Sequence, residues 1–128
     1  MINDYLQKIV RDEMQKGSNQ LYNRSAIKEY LQVLVLQYIY TSAEYGSKLI
    51  FTGGTCLRHL YGLERLSEDL DFNMLSKIDT NKLANDIQEY FVSVLQYKDL
   101  DISVKQNGRQ ILLKFPILRE LFYWELNL

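Results

Sequence analysis

The 128-residue sequence predicts one mixed α/β domain, with helices packed on one face of a sheet and the other face partly open. Three observations predict it. Apolar residues recur at three- and four-residue steps over long stretches. A short apolar run is cut off by Gly53-Gly54. Two alternating runs flank Asn107-Gly108, a pair favoured in two-residue hairpin turns. Length and composition agree: 47% hydrophobic and 24% charged residues suit a globular chain with material for one core. Fifteen basic residues against sixteen acidic leave a net charge of −1. That balance argues against a polybasic nucleic-acid coat and against an acidic disordered tail.

The elements follow in order. Leu6, Ile9, Val10 and Met14 predict a helix over residues 4–16, stopped at Gly17, and residues 17–23 read as a polar connection. A longer helix is predicted over 25–45, with Ile27, Leu31, Leu34, Val35, Tyr38 and Ile39 on one face. Val33, Leu36 and Tyr40 widen that stripe, and Gly46 ends the helix. Residues 48–52 read as a buried strand, and 55–61 as a compact helix ending at Gly62. Residues 69–72 alternate as a half-buried strand does. Asp79 or Thr80 can cap a helix running to about residue 97. In the hairpin over 101–115, a type I′ turn sets Gln106 opposite Arg109, Val104 opposite Ile111 and Asp101 opposite Lys114. Residues 121–128 are unusually apolar for a terminus. They are expected to complete the core, to form an oligomer contact, or to mark a chain that continues. Residues 1–128 are thus read as a single domain, or as the N-terminal part of a longer protein.

Other classes find no support. Cys56 has no partner thiol for an internal disulfide or a zinc knuckle, and the opening residues carry no secretory leader. The greasiest stretch, residues 31–40, is interrupted by Gln32 and Gln37. It falls short of the roughly 20 apolar residues needed to span a bilayer. The expectation is a cytoplasmic, reduced protein without a membrane partner. One histidine and one cysteine give no hydrolase triad and no zinc-ligand set. His59 reads as structural or solvated, and Cys56 as a small buried hydrophobe.

The chemistry concentrates in Phe51-Thr52-Gly53-Gly54-Thr55, then Arg58, then Ser67-Glu68-Asp69-Leu70-Asp71-Phe72. A strand entering Gly-Gly turns sharply and lets a ligand approach without side-chain collision. A helix starting there points unpaired amides at it, which favours phosphate. Asp69 and Asp71, two apart on a strand, leave the same face. Two like charges held together in this way repel each other unless a cation arrives. Oxygen ligands favour Mg²⁺ or Mn²⁺.

With those residues in place, Gly53 through Gly62, Arg65 and Ser67 through Phe72 resemble the AbiEii/AbiGii nucleotidyltransferase toxin family. That family sits within the DNA-polymerase-β-type nucleotidyltransferase superfamily, whose mark is a Gly-Gly or Gly-Ser turn followed by Asp-x-Asp. The resemblance implies the minimal nucleotidyltransferase fold, with its active site on the open sheet face. It implies that Gly53, Gly54, Thr55 and Arg58 bind the nucleoside triphosphate, and that Asp69 and Asp71 hold the catalytic metal. It further implies nucleotide transfer to an acceptor hydroxyl, the tRNA 3′ end, with pyrophosphate release, and a separately encoded antitoxin as partner. Lys114 is either a later-strand lysine that neutralises triphosphate charge or the cross-strand ion-pair partner of Asp101. Arg58 and Arg65 either assist phosphate or RNA binding or, for Arg58, pair with an acid such as Glu68. Where relatives carry a third acid, two residues beyond Lys114, this chain has Pro116. Asp101, Glu120 and Glu125 are the substitutes in view. The alternative to an enzyme is a catalytically incomplete module that binds nucleotide or a protein partner without turnover.

Overall fold

The computed structural model describes residues 4, 8, 11, 20–54, 56, 69–117 and 120–128. The predicted first helix falls almost wholly outside them, although Asp4, Lys8 and Arg11 are helical and exposed at the spacing of one helix face. The predicted helix over 55–61 also lies outside, apart from Cys56.

Helix α1 spans Gln20–Thr41 and buries Ile27, Leu31, Leu34, Val35 and Ile39. It begins five residues earlier than the sequence predicts and ends four residues sooner. Side-chain hydroxyls compete for its last turn: Thr41 Oγ1 donates to Gln37 O at 2.6 Å, and Ser42 Oγ accepts from Glu44 N–H at 3.2 Å. The chain then turns, which lets Tyr45 enter the core. Val33 and Tyr40 prove to be exposed rather than part of the buried stripe. Tyr40 uses its hydroxyl instead, donating to Leu49 O at 3.1 Å and accepting from Phe51 N–H at 2.9 Å. It thereby satisfies backbone groups of strand β1, Leu49–Thr52, at the sheet edge.

Strand β2, Leu70–Met74, runs antiparallel to β1 and pairs Thr52 with Asp71. Helix α2, Thr80–Ser93, is capped by Asp79, whose carboxylate accepts from Lys82 N–H at 3.2 Å. It stops before residue 97 because Gln96 adopts a left-handed conformation and Tyr97 N–H closes onto Phe91 O at 2.8 Å. Strands β3, Asp101–Lys105, and β4, Gln110–Ile117, form the predicted hairpin. Asp101 lies opposite Lys114 and Val104 opposite Ile111, as the type I′ reading requires. The strand ladder ends at Lys105 opposite Gln110, and the turn is wider than the two-residue reading: Gln106, Asn107 and Gly108 all have positive φ, and Arg109 N–H bonds to Gln106 O at 3.1 Å. Thr80 Oγ1 donates to Gly108 O at 2.7 Å and ties the turn to the start of α2.

The apolar end of the chain is a strand, β5, Glu120–Asn127. It enters the middle of a five-stranded sheet of order β1-β2-β5-β4-β3, antiparallel to β4 and parallel to β2. Phe122, Trp124 and Leu126 point into the core beside Leu70, Phe72, Ile111, Leu113 and Phe115. Trp124 stacks on Phe115 at 6.1 Å, and Phe91 and Tyr97 extend the aromatic group. Both described helices contribute to this core, so the opposite sheet face is the polar one. Pro116 sits on β4 beyond the last pair with β3, where its missing N–H interrupts no ladder on that side. Among the described residues, no helix is long and apolar enough to cross a membrane.

At the end of α1, Tyr45 OH donates to Asp86 Oδ2 at 2.5 Å, and Lys82 reaches Asp86 at 3.0 Å. The tyrosine hydrogen bond is the main influence that holds the Asp86 carboxyl below its ordinary range. Burial, followed by that same bond, pushes the Tyr45 phenol up.

Two predictions follow from this packing. Trp124→Ala should cost about 3–5 kcal/mol in urea unfolding. Trp124→Phe should cost only about 1–2 kcal/mol, because it also removes the buried indole N–H, which finds no acceptor among the described residues. Because the Asp86 pKa is depressed by folding, its contribution is fully present above the ordinary carboxylate range and is lost as pH falls through the lowered value. Asp86→Asn should therefore lower the Tm at neutral pH, and the gap to the parent protein should close on strong acidification.

Candidate active site

The site is assembled on the open sheet face, and strand alternation puts it there. Leu70 and Phe72 are buried in the core, so the side chains of Asp69 and Asp71 leave by the other face, both partly exposed. Antiparallel pairing with β1 brings the end of that strand, and the glycine turn after it, alongside Asp71. Thr52 Oγ1 donates to Asp71 O at 3.4 Å. Gly53 follows with φ +83, a conformation that side chains other than glycine's disfavour. A Cβ built on Gly53 would overlap the Asp71 carboxylate, lying 3.2 Å from both its Cβ and its Cγ. The missing side chain is what allows the carboxylate to lie against the turn. Gly54 and Cys56 continue helically from it.

Parallel pairing of β2 with β5 supplies what the sequence left unplaced. Leu70 pairs with Leu126 and Asp71 with Asn127. Glu125 N–H donates to Asp69 Oδ1 at 3.0 Å, and Asn127 Nδ2 donates to Asp71 Oδ1 at 2.7 Å. Of the three substitutes for the third acid, Glu125 is the one beside the aspartates. Asp101 lies on the far edge strand, and Glu120 pairs with Ile117 at the other end of β5. The sequence offers Glu125 among three acids but does not single it out, because its neighbours, Tyr123-Trp124 and Leu126, give no clear alternation. The usable signal was the polar pair Glu125 and Asn127, two apart within an apolar run, as on the outer face of a strand.

Lys114 lies on the same face, paired with Tyr123 on one side and Asp101 on the other. It is thus two strands from β2 and two residues along β4 from Leu112, the partner of Glu125. The register with Asp101 is as predicted, but among the described residues the two do not form an ion pair. Thr55, Arg58, His59 and Arg65 lie outside the described residues, so Gly53, Gly54, Asp69, Asp71 and Lys114 are the site candidates whose positions are given. Cys56 is buried, its Sγ 3.3 Å from Phe51 O, and burial pushes its thiol pKa up, as befits a packing residue.

The donor set is oxygen-rich and hard. Among the described residues, Asp69 and Asp71 each have one oxygen engaged by a neutral N–H and one left over. Among the described residues, no three His, Cys, Asp or Glu side chains converge on one point. The arrangement is a pair of aspartates with Glu125 alongside. That chemistry fits a divalent cation taking carboxylate oxygens together with phosphate oxygens, the usual situation for Mg²⁺.

Comparison with known proteins bears on this geometry. No curated protein and no solved structure gave a match. The family model described as nucleotidyl transferase AbiEii toxin, type IV toxin–antitoxin system, matches residues 35–119. That segment contains the glycine turn, both aspartates and Lys114, and stops just before β5. With well over half of its length under this match and a five-stranded mixed sheet of the minimal nucleotidyltransferase kind, the chain belongs to the AbiEii nucleotidyltransferase toxin family.

Proposed function

We propose that this chain transfers a nucleotide from a nucleoside triphosphate to an acceptor hydroxyl, releasing pyrophosphate. We further propose that it does so as the cytoplasmic toxin of a toxin–antitoxin pair, with a tRNA 3′ end as acceptor. The observation that carries the reading is the placement of two aspartates on one sheet face against a glycine turn, with Glu125 brought beside them by a parallel strand.

In this reading Asp69 and Asp71 hold Mg²⁺ or Mn²⁺, which when bound supplies positive charge for the phosphoryl oxygens. Gly53 and Gly54, with Thr55 and Arg58, receive the β- and γ-phosphates at the turn. Lys114 meets triphosphate charge from the neighbouring strands. The acceptor oxygen forms a bond to the α-phosphorus while the bond from that phosphorus to the α,β-bridging oxygen breaks, and pyrophosphate departs with the electron pair. The hydroxyl proton passes to the free oxygen of Glu125, whose other oxygen is already occupied by an amide donor.

Two substitutions test this. Asp71→Asn should abolish labelled nucleotide transfer to bulk tRNA and Mn²⁺ binding, together with any growth arrest on expression. Undiminished arrest in that variant would defeat the mechanism, and nucleotide binding without labelled product in the parent would indicate a module that does not turn over. Gly53→Ala adds a methyl group at a positive φ, costing about 1–2 kcal/mol of stability, and pushes the Asp71 carboxylate aside. Transfer should fall by at least about tenfold while the protein remains folded by circular dichroism.

A further inference from the structure

The side-chain amides of Asn127 and Gln110 share the open face with the carboxylates, and their orientations are not free. An ionised carboxylate only accepts hydrogen bonds, so Asn127 must turn its NH₂ to Asp71 Oδ1, at 2.7 Å. Its own oxygen then points across β5 toward β4. There Gln110, paired in register with Asn127, donates from Nε2 to Asn127 Oδ1 at 2.9 Å and to Glu125 Oε2 at 2.6 Å. The two protons of a single amide nitrogen are thus divided between the side chain that holds Asp71 and the carboxylate of Glu125, whose backbone N–H serves Asp69.

We propose that Gln110 is a positioning residue of this site: its amide locks Asn127 in the orientation that donates to Asp71 and fixes the rotamer of Glu125. The inference rests on the function proposed above. The physical case is one of sign and reach. A lysine or arginine at this place would orient the carboxylates but would also oppose an arriving divalent cation. An amide supplies directional donors without net charge, so the negative potential of the carboxylates is kept for the cation. Among the described residues, no other donor holds the Asn127 oxygen away from Asp71, and without Gln110 an inverted amide would set oxygen against oxygen.

The test uses the full chain with Gln110→Met, which keeps side-chain length and removes both donors, and Gln110→Glu, which sets a carboxylate against two acceptors. In metal-free protein, ¹⁵N NMR should show the Asn127 side-chain NH₂ dispersed and slowly exchanging in the parent, and averaged toward free-amide shifts in Gln110→Met. Titration with Mn²⁺ alone, read by electron paramagnetic resonance, should give a dissociation constant about tenfold higher in Gln110→Met, still folded by thermal unfolding. Gln110→Glu, which adds negative charge beside the site, is read by the Asn127 amide signal alone, which should be averaged as in Gln110→Met. An unchanged Asn127 amide signal, or parental Mn²⁺ affinity in folded Gln110→Met, would overturn the proposal. Should the first variant not fold, Gln110→Asn, one methylene short, is read in the same way. Failure of the parent protein to bind Mn²⁺ in an Asp71-dependent manner would sink the functional reading instead, and the metal-free NMR result tells the two apart.

Discussion

The parallel pairing of β2 with β5 is the constraint on which the rest of the molecule depends. It is short, with Leu70 beside Leu126 and Asp71 beside Asn127, and it joins residues more than fifty positions apart. Backbone hydrogen bonds alone would hold such a pairing weakly. Burial on one side fixes it: Leu70, Phe72, Trp124 and Leu126 all leave by the core face, where helices α1 and α2 contribute apolar side chains. A slip of one residue would turn Trp124 outward and Glu125 into the core, an exchange costing several kcal/mol on both counts. The register of the polar face is therefore dictated by the greasy one.

On that polar face the chain concentrates acidic side chains, and among the described residues the donors that reach them are uncharged. A backbone N–H serves Asp69, a carboxamide serves Asp71, and another carboxamide serves Glu125. Ion pairs occur elsewhere, as where Lys82 meets Glu44 and Asp86 at the surface beside α2. The division is physically sensible. Ion pairing would quench the negative potential that a divalent cation needs, whereas neutral donors orient carboxylates while leaving that potential in place. Gly53 belongs to the same arrangement, since its lack of a Cβ lets the carboxylate of Asp71 lie against the turn.

How much was legible beforehand differs by element, for a common reason. The register of the hairpin strands was readable, because Asn107-Gly108 and the alternation on either side are local signals acting within one short stretch, although the turn also takes in Gln106. The Asp79 cap and the Asp-x-Asp strand were readable on the same grounds. Helix ends were less so: Thr41 and Ser42 divert backbone groups with their hydroxyls, and Gln96 closes α2 in a conformation that its side chain does not advertise. The identity of β5 as a central strand was missed because two of its outward-facing positions, Leu121 and Tyr123, are apolar yet exposed, which hides in the sequence the alternation of burial that the strand keeps.

The sequence by itself determined the fold class, the glycine turn, the pair of aspartates sharing a face and the family resemblance. Each of these is written in neighbouring residues or in a fixed short spacing. Only the tertiary structure decided that Glu125, rather than Asp101 or Glu120, stands beside Asp69, that Asn127 and Gln110 brace the carboxylates, and that Lys114 and Asp101 face each other without pairing. Those facts depend on which strands become neighbours. Neighbour choice is set by the burial of side chains from the whole chain at once, so no local stretch of sequence contains it.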